Sequence, residues 1–231
     1  MAEIIPAIMP QDFFDLQKKL ERLANATSLV QIDVMDGKFV PARNWPYGKE
    51  DQNFAHILSQ EEGMPFWDDL DFEVDLMVEK PEEKIEDWVV AGAKRFVVHY
   101  ESVPDFEKFL EWYEKQYGPL DTLSLSPELG VAIGIETSIE KILPFLSRTH
   151  FIQLMGIAKI GYQGEPFDER VLEKISTLRK IAPDCTISVD GGVNFYTAPR
   201  LIDSGADRLV VGSAISESQN VIDTVREFER L

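Results

Sequence analysis

The chain has one cysteine, three histidines and no apolar run of membrane-spanning length. A single cysteine excludes an intrachain disulfide and a thiolate metal cluster. A catalytic thiol wants a basic partner, whereas Cys185 stands at a strand start in PDCTISV and is expected to be buried and inert. A membrane span needs roughly 18 apolar residues in a row, and no window supplies them. The first residues, MAEIIPAIMPQDFF, carry neither a basic leader nor a long apolar core, so the expected location is the cytoplasm. Basic residues are scarce too, at 23 against 41 acidic ones, for a formal net charge of −18. No Lys/Arg cluster is long enough to follow a phosphate backbone, and nucleic acid is not an expected partner.

What is present is rhythm. Short β-branched runs alternate with longer amphipathic ones, and the runs expected as strands are Ile4 to Ile8, Leu29 to Val34, Phe72 to Val78, Arg95 to His99, Gly130 to Ile133, Phe151 to Met155, Thr186 to Val189 and Arg208 to Val211. Helices are expected over Gln11 to Ala24, Pro81 to Ala91, Asp105 to Tyr117, Ile139 to Leu146, Glu169 to Ile181, Thr197 to Ser204 and Val221 to Arg230. Pro81 and Asp105 open helices, and Gly92, Gly118 and Gly205 follow helix ends. Eight strands alternating with helices in 231 residues, 44% of them hydrophobic, predict a single (β/α)8 barrel domain over residues 1–231. An open doubly wound sheet is the competing architecture and usually needs fewer strands. The segment from Ala42 to Asp71 breaks the rhythm, with one helix expected around Asn53 to Gln60. Its Trp45, Tyr47, Phe66 and Trp67 either cover a site or subunit contact, or fold back onto the outside of the barrel.

Three expected strands carry an aspartate where they run toward the following loop: Asp33 in QIDVMDGKFVP, Asp75 in FEVDLMVEKP and Asp190 in ISVDGGVN. Barrel active sites form at the C-terminal ends of the strands, so these three carboxylates are expected to share one pocket. Gln31 joins them, because side chains two apart on a strand point the same way. Taken singly, each aspartate is an ordinary cap or turn residue. Taken together, they form an acid and base in which mutual repulsion keeps a proton on one member, or a cation site that holds all three ionised.

Glycine segments follow the later strands: Gly161, Tyr162, Gln163 and Gly164, then Gly191 and Gly192, then Gly212 and Ser213. Glycine lets backbone N–H groups approach an anion, and these positions are where barrels commonly hold phosphate. Tight βα turns explain each segment alone equally well. Lys159 precedes the first of them as a secondary anion partner.

QIDVMDGKFVP, FEVDLMVEKPEE, AGAKRFVVHYES, GVAI, GYQGEPF, SVDGGVN and GADRLVVGSAI stand in the order seen in ribulose-phosphate 3-epimerases, and the resemblance spans nearly the whole chain. It implies a (β/α)8 TIM barrel of the ribulose-phosphate-binding type and inversion at C3 of a ketopentose 5-phosphate through an enediolate. It makes Asp33 and Asp190 the acid and base, matches the family's methionine wall at Met35, Met77 and Met155, and maps the phosphate residues onto Gly164, Gly192, Gly212 and Ser213. Homo-oligomeric assembly is implied as well.

The sequence also departs from that pattern. The family's two metal-binding histidines, in segments resembling HVDVMDG and VHLMV, are Gln31 and Asp75 here. A family serine is Ala7, a family asparagine is Gly134, and the loop after strand six is one residue longer. Without the imidazoles, Asp33, Asp75, Asp190 and Gln31 make an oxygen set suited to Mg²⁺ or Mn²⁺ rather than Zn²⁺, if a metal is held at all. His99 matches a family histidine outside the metal set, and His56 and His150 are read as structural or solvated. The expected activity is a sugar-phosphate epimerase. Its alternatives are a phosphate-ligand binding barrel that has lost turnover, or an aldolase or decarboxylase of the phosphate-binding barrels. The run Asp33, Val34, Met35, Asp36 lacks the lysine those last enzymes carry, which counts against them.

Overall fold

The computed structural model describes residues 2–48, 52–120 and 126–231. Its strands are β1 (Glu3–Ile8), β2 (Leu29–Met35), β3 (Asp71–Met77), β4 (Ala93–His99), β5 (Glu128–Ile133), β6 (Phe151–Met155), β7 (Thr186–Asp190) and β8 (Arg208–Val211). All pair in parallel and in sequence order, and β8 returns to β1 to close the barrel. The helices are α1 (Phe13–Leu23), α2 (Gln52–Leu58), α3 (Glu82–Val90), α4 (Phe106–Tyr117), α5 (Arg170–Ile181), α6 (Ala198–Ser204), α7 (Ser213–Ser216) and α8 (Val221–Glu229).

Both faces of each strand are covered, and the two-residue period decides which side chain goes where. On β2, Val30, Ile32 and Val34 join the large apolar layer beneath the helices, while Gln31, Asp33 and Met35 belong to the barrel interior. The helices return matching stripes: Leu16, Leu20 and Leu23 on α1, and Phe106, Phe109, Leu110 and Tyr113 on α4. Asp12 and Asp105 cap α1 and α4 by accepting from the backbone N–H of Asp15 and Lys108. At the C-terminal end of α4, Gly118 has φ +86°, a conformation that costs glycine little.

The helix expected over Ile139 to Leu146 is instead two 3₁₀ turns, Ile139–Lys141 and Leu143–Arg148. Pro144 is the physical reason: it has no N–H to give to a carbonyl four residues back, and its ring crowds that carbonyl. Cys185 is half-buried rather than fully buried, because it lies just before β7 at the barrel's edge; what burial it has pushes the thiol pKa up.

The irregular segment mostly folds back onto the barrel. Trp45 is buried against Phe54 and Trp88, Tyr47 accepts a hydrogen bond from Trp88 Nε1 at 3.0 Å, and Phe66 packs on the same layer. Trp67 is exposed. Residues 49–51 of that segment lie outside the described residues.

Candidate active site

The loop after β2 is what fixes Asp33. Asn44, itself buried, returns its side chain to the strand end: its amide donates to the Asp33 carbonyl at 2.7 Å and its oxygen accepts from the Met35 N–H at 2.8 Å. An Asp36–Arg43 bridge closes the same loop, and Asp36 Oδ2 accepts from the Glu79 N–H at 3.1 Å, which ties it to the end of β3. Asp190 is held from the other side. The Gly156 N–H donates to the Asp190 carbonyl at 2.7 Å, and a Cβ at position 156 would lie 2.3 Å from the Gly191 carbonyl oxygen. The tops of β6 and β7 can meet this closely only with glycine there.

Asp33 and Asp190 line one pocket. Between them along the barrel stand β1 and β8, which present Ala7 and Val210, small enough to leave room for a ligand. Met77 and Met155 form apolar wall, and Gly161, Gly164, Gly191, Gly192, Gly212 and Ser213 all reach the same cavity. Four sequence candidates are not in the wall. Met35 sits behind it, its sulfur 3.3 Å from where a Cβ on Gly161 would stand, while Gln31 and Asp75 are fully buried. Lys159 is exposed and outside the lining. The loop between β6 and α5 is pinned at its neck by the Ile157–Phe167 bridge, and it carries Gln163 within 3.3 Å of the Cβ position of Gly212.

Beneath the pocket lies a buried chain that sequence reasoning missed. Asp75 Oδ1 is 3.0 Å from His99 Nε2, and Asp75 Oδ2 accepts from Gln153 Nε2 at 3.3 Å. Gln153 Oε1 accepts in turn from Ser188 Oγ at 3.2 Å. Gln31 Nε2 donates to Asp33 Oδ1 at 2.8 Å. A signal for two of these was available: Gln153 stands two residues before Met155, and Ser188 two before Asp190, the same-face rule that identified Gln31. The Asp75–His99 contact had no sequence signal, since it joins neighbouring strands across the barrel's stagger.

Crowding shifts the acids. Burial first, and the nearby Asp190 and Asp75 charges second, hold the Asp33 carboxyl well above its ordinary range. Burial, then the Asp75 charge, push Asp190 up to about 7, partly offset by His99. For His99, burial favours the neutral ring, but the adjoining Asp75 outweighs it and raises the imidazole pKa.

Residues 3–216 match the model of the ribulose-phosphate 3 epimerase family. The chain belongs to that family. A ribulose-phosphate 3-epimerase from Bacillus subtilis is 31% identical, over 98% of this chain and 99% of its own length. One from Chlamydia pneumoniae is 31% identical over 94% of this chain and 88% of its own. The barrel is also shared with 3-hexulose-6-phosphate synthase from Salmonella typhimurium, at a TM-score of 0.66 and 13% identity over 99% of this chain and 97% of that one, a likeness of fold alone.

As a member of this family, the chain is notable for what surrounds its family metal positions. Among the described residues, no group of three or more His, Cys, Asp or Glu side chains is disposed to hold a metal ion. Asp75 has a partner at each oxygen, His99 and Gln153, and Gln31 gives its N–H₂ to Asp33 while its buried Oε1 has no hydrogen-bond partner. The residues present do not fit a metal centre as they stand. No helix among the described residues is long and apolar enough to cross a membrane.

Proposed function

We propose that this protein is a sugar-phosphate epimerase that moves a proton at C3 of a ketopentose 5-phosphate. The observation that carries the reading is the convergence of Asp33 and Asp190 on one pocket, each with its pKa raised by burial and like charge. Two such carboxyls share a single proton near neutral pH, so one is ready to accept while the other is ready to donate. The ionised member removes the C3 proton and leaves an enediolate. The protonated member then returns a proton from the other face, which inverts the centre and regenerates the pair with its roles exchanged.

The remaining side chains serve this step. Met77 and Met155 keep water from the enediolate, with Met35 supporting the wall from behind. Backbone N–H groups around Gly161, Gly164, Gly191, Gly192, Gly212 and Ser213 receive the phosphate, and the Gln163 amide overhangs Gly212 as a further donor. Among the described residues no lysine or arginine lines the pocket, so the phosphate rests on dipoles. Asp33, Asp75, Asp190 and Gln31 are oxygen donors of the kind that take Mg²⁺ or Mn²⁺ rather than Zn²⁺. Asp75 is already engaged by His99 and Gln153, and every step above runs on the protein's own side chains.

A cytoplasmic, homo-oligomeric enzyme of one barrel domain completes the proposal. Incubation with ribulose 5-phosphate in D₂O, followed by NMR, tests it: deuterium is expected at C3. Absence of exchange with every pentulose and hexulose phosphate tried would remove the epimerase reading. Calorimetric binding without exchange would leave a phosphate-ligand binding barrel in its place.

A further inference from the structure

The resemblance places a metal where Gln31 and Asp75 now stand, yet each of these side chains already holds other partners, Gln31 with Asp33 and Asp75 with His99 and Gln153. A divalent cation in an oxygen site needs several free lone pairs directed at one point. Asp75, the residue that replaces a histidine, has its two oxygens on His99 and Gln153, and Gln153 is itself fixed by Ser188. All four are fully buried. An ion could reach Asp75 only on the lone pairs that His99 and Gln153 leave over, beside the two nitrogens that already hold the carboxylate, and the His99 Nδ1 has no hydrogen-bond partner of its own. Phe39 packs against that ring at 5.3 Å between centroids. On the other wall, Gln31 holds Asp33 through its Nε2, and its buried Oε1, which has no hydrogen-bond partner, offers an ion a single amide lone-pair donor.

The Asp75 carboxylate has its partners in place. A carboxylate at position 75 alone would be a further uncompensated charge beside Asp33 and Asp190, and burying one is costly. His99 reaches it from the next strand and supplies the partner, and Gln153 supplies a second donor. We propose that this pocket has exchanged the family's metal centre for an internal hydrogen-bonded pair, Asp75 with His99 braced by Gln153 and Ser188, and that it works with no divalent ion. The inference rests on the epimerase reading for its mechanism but not for its test, because metal binding is measured apart from turnover. His99, Gln153 and Ser188 are positioning residues in this scheme, acting through Asp75.

Protein stripped with EDTA is titrated calorimetrically with Mg²⁺, Mn²⁺ and Zn²⁺, alongside an Asp33→Asn variant that reports any binding at surface acids. The expected result is no one-to-one binding that the variant lacks, and C3 deuterium exchange unchanged by EDTA. A Gln31→His/Asp75→His double variant, which restores both imidazoles, is expected to hold one zinc per chain by elemental analysis. The proposal is overturned by stoichiometric binding to the wild-type pocket that Asp33→Asn abolishes, or by exchange that EDTA removes and added metal restores. A double variant that is folded by circular dichroism but takes up no zinc overturns it as well, since the two substitutions would then not account for the change.

Discussion

Asp33 and Asp190 each sit where burial makes ionising expensive, and nearby carboxylates add to it, Asp190 and Asp75 at Asp33 and Asp75 at Asp190. Turnover in the proposed mechanism needs one proton on the pair, not zero and not two. Both carboxyls are shifted upward, Asp190 to about 7 and Asp33 well above its ordinary range, so the singly protonated form is reached only as pH rises past the first of these steps. The pH profile of kcat/KM is therefore expected to be bell-shaped with its acid limb near pH 7 and its maximum on the alkaline side; a maximum below pH 6 would contradict the shifted pair. Asp33→Asn and Asp190→Asn should each lower kcat by about 10²- to 10⁴-fold, the usual worth of a general acid or base, with KM little changed. Because the two act as a unit, the double variant should be scarcely slower than the slower single one, and multiplicative losses in steady-state assays would argue against a shared proton.

At the scale of elements, glycine decides how closely strands may pack. A Cβ on Gly130 of β5 would lie 2.2 Å from the ring of Phe151, the first residue of β6, whose ring fills the barrel interior and lies under the Arg208 guanidinium at 4.7 Å. The ring is buried, so Gly130→Ala should destabilise the barrel by about 1–3 kcal/mol, the usual cost of overpacking. Chemical denaturation should show the loss as a lower midpoint at an unchanged slope; an unaltered midpoint would mean that the ring relocates freely.

The strands themselves were legible as short β-branched and apolar runs set between longer amphipathic stretches, and Asp33 and Asp190 were legible because barrel sites collect at strand ends. The turns at Ile139–Lys141 and Leu143–Arg148 were misread as one α-helix although Pro144 stood in the middle of the run. The partners of Asp75 were not legible for a different reason. Which side chain on β4 or β6 meets Asp75 depends on barrel stagger, and no local pattern encodes that.

The closed barrel also gathers charge at the end away from the pocket. Arg95 on β4 pairs with Glu3 on β1 and with Glu128 on β5, and Arg208 on β8 pairs with Glu3, so four strands are linked around Glu73 on β3. Glu73 is fully buried, its oxygens have no hydrogen-bond partner, and the nearest Arg95 nitrogen is 3.9 Å away. Burial pushes its pKa up to about 8 from an ordinary 4.5, with Arg95 and Arg208 pulling the other way. Between those two values the folded chain holds a proton that the unfolded chain has released. The stabilisation is complete below about pH 4.5 and is lost as pH rises through 8, so for this group stability declines with rising pH. Asp33 and Asp190, also raised, contribute with the same sign. The thermal midpoint is thus expected to fall between pH 6 and pH 9. Glu73→Gln, which carries no titrating proton, should flatten that fall without abolishing it. If the variant kept the full wild-type slope, Glu73 would not be the group that couples the base of the barrel to pH.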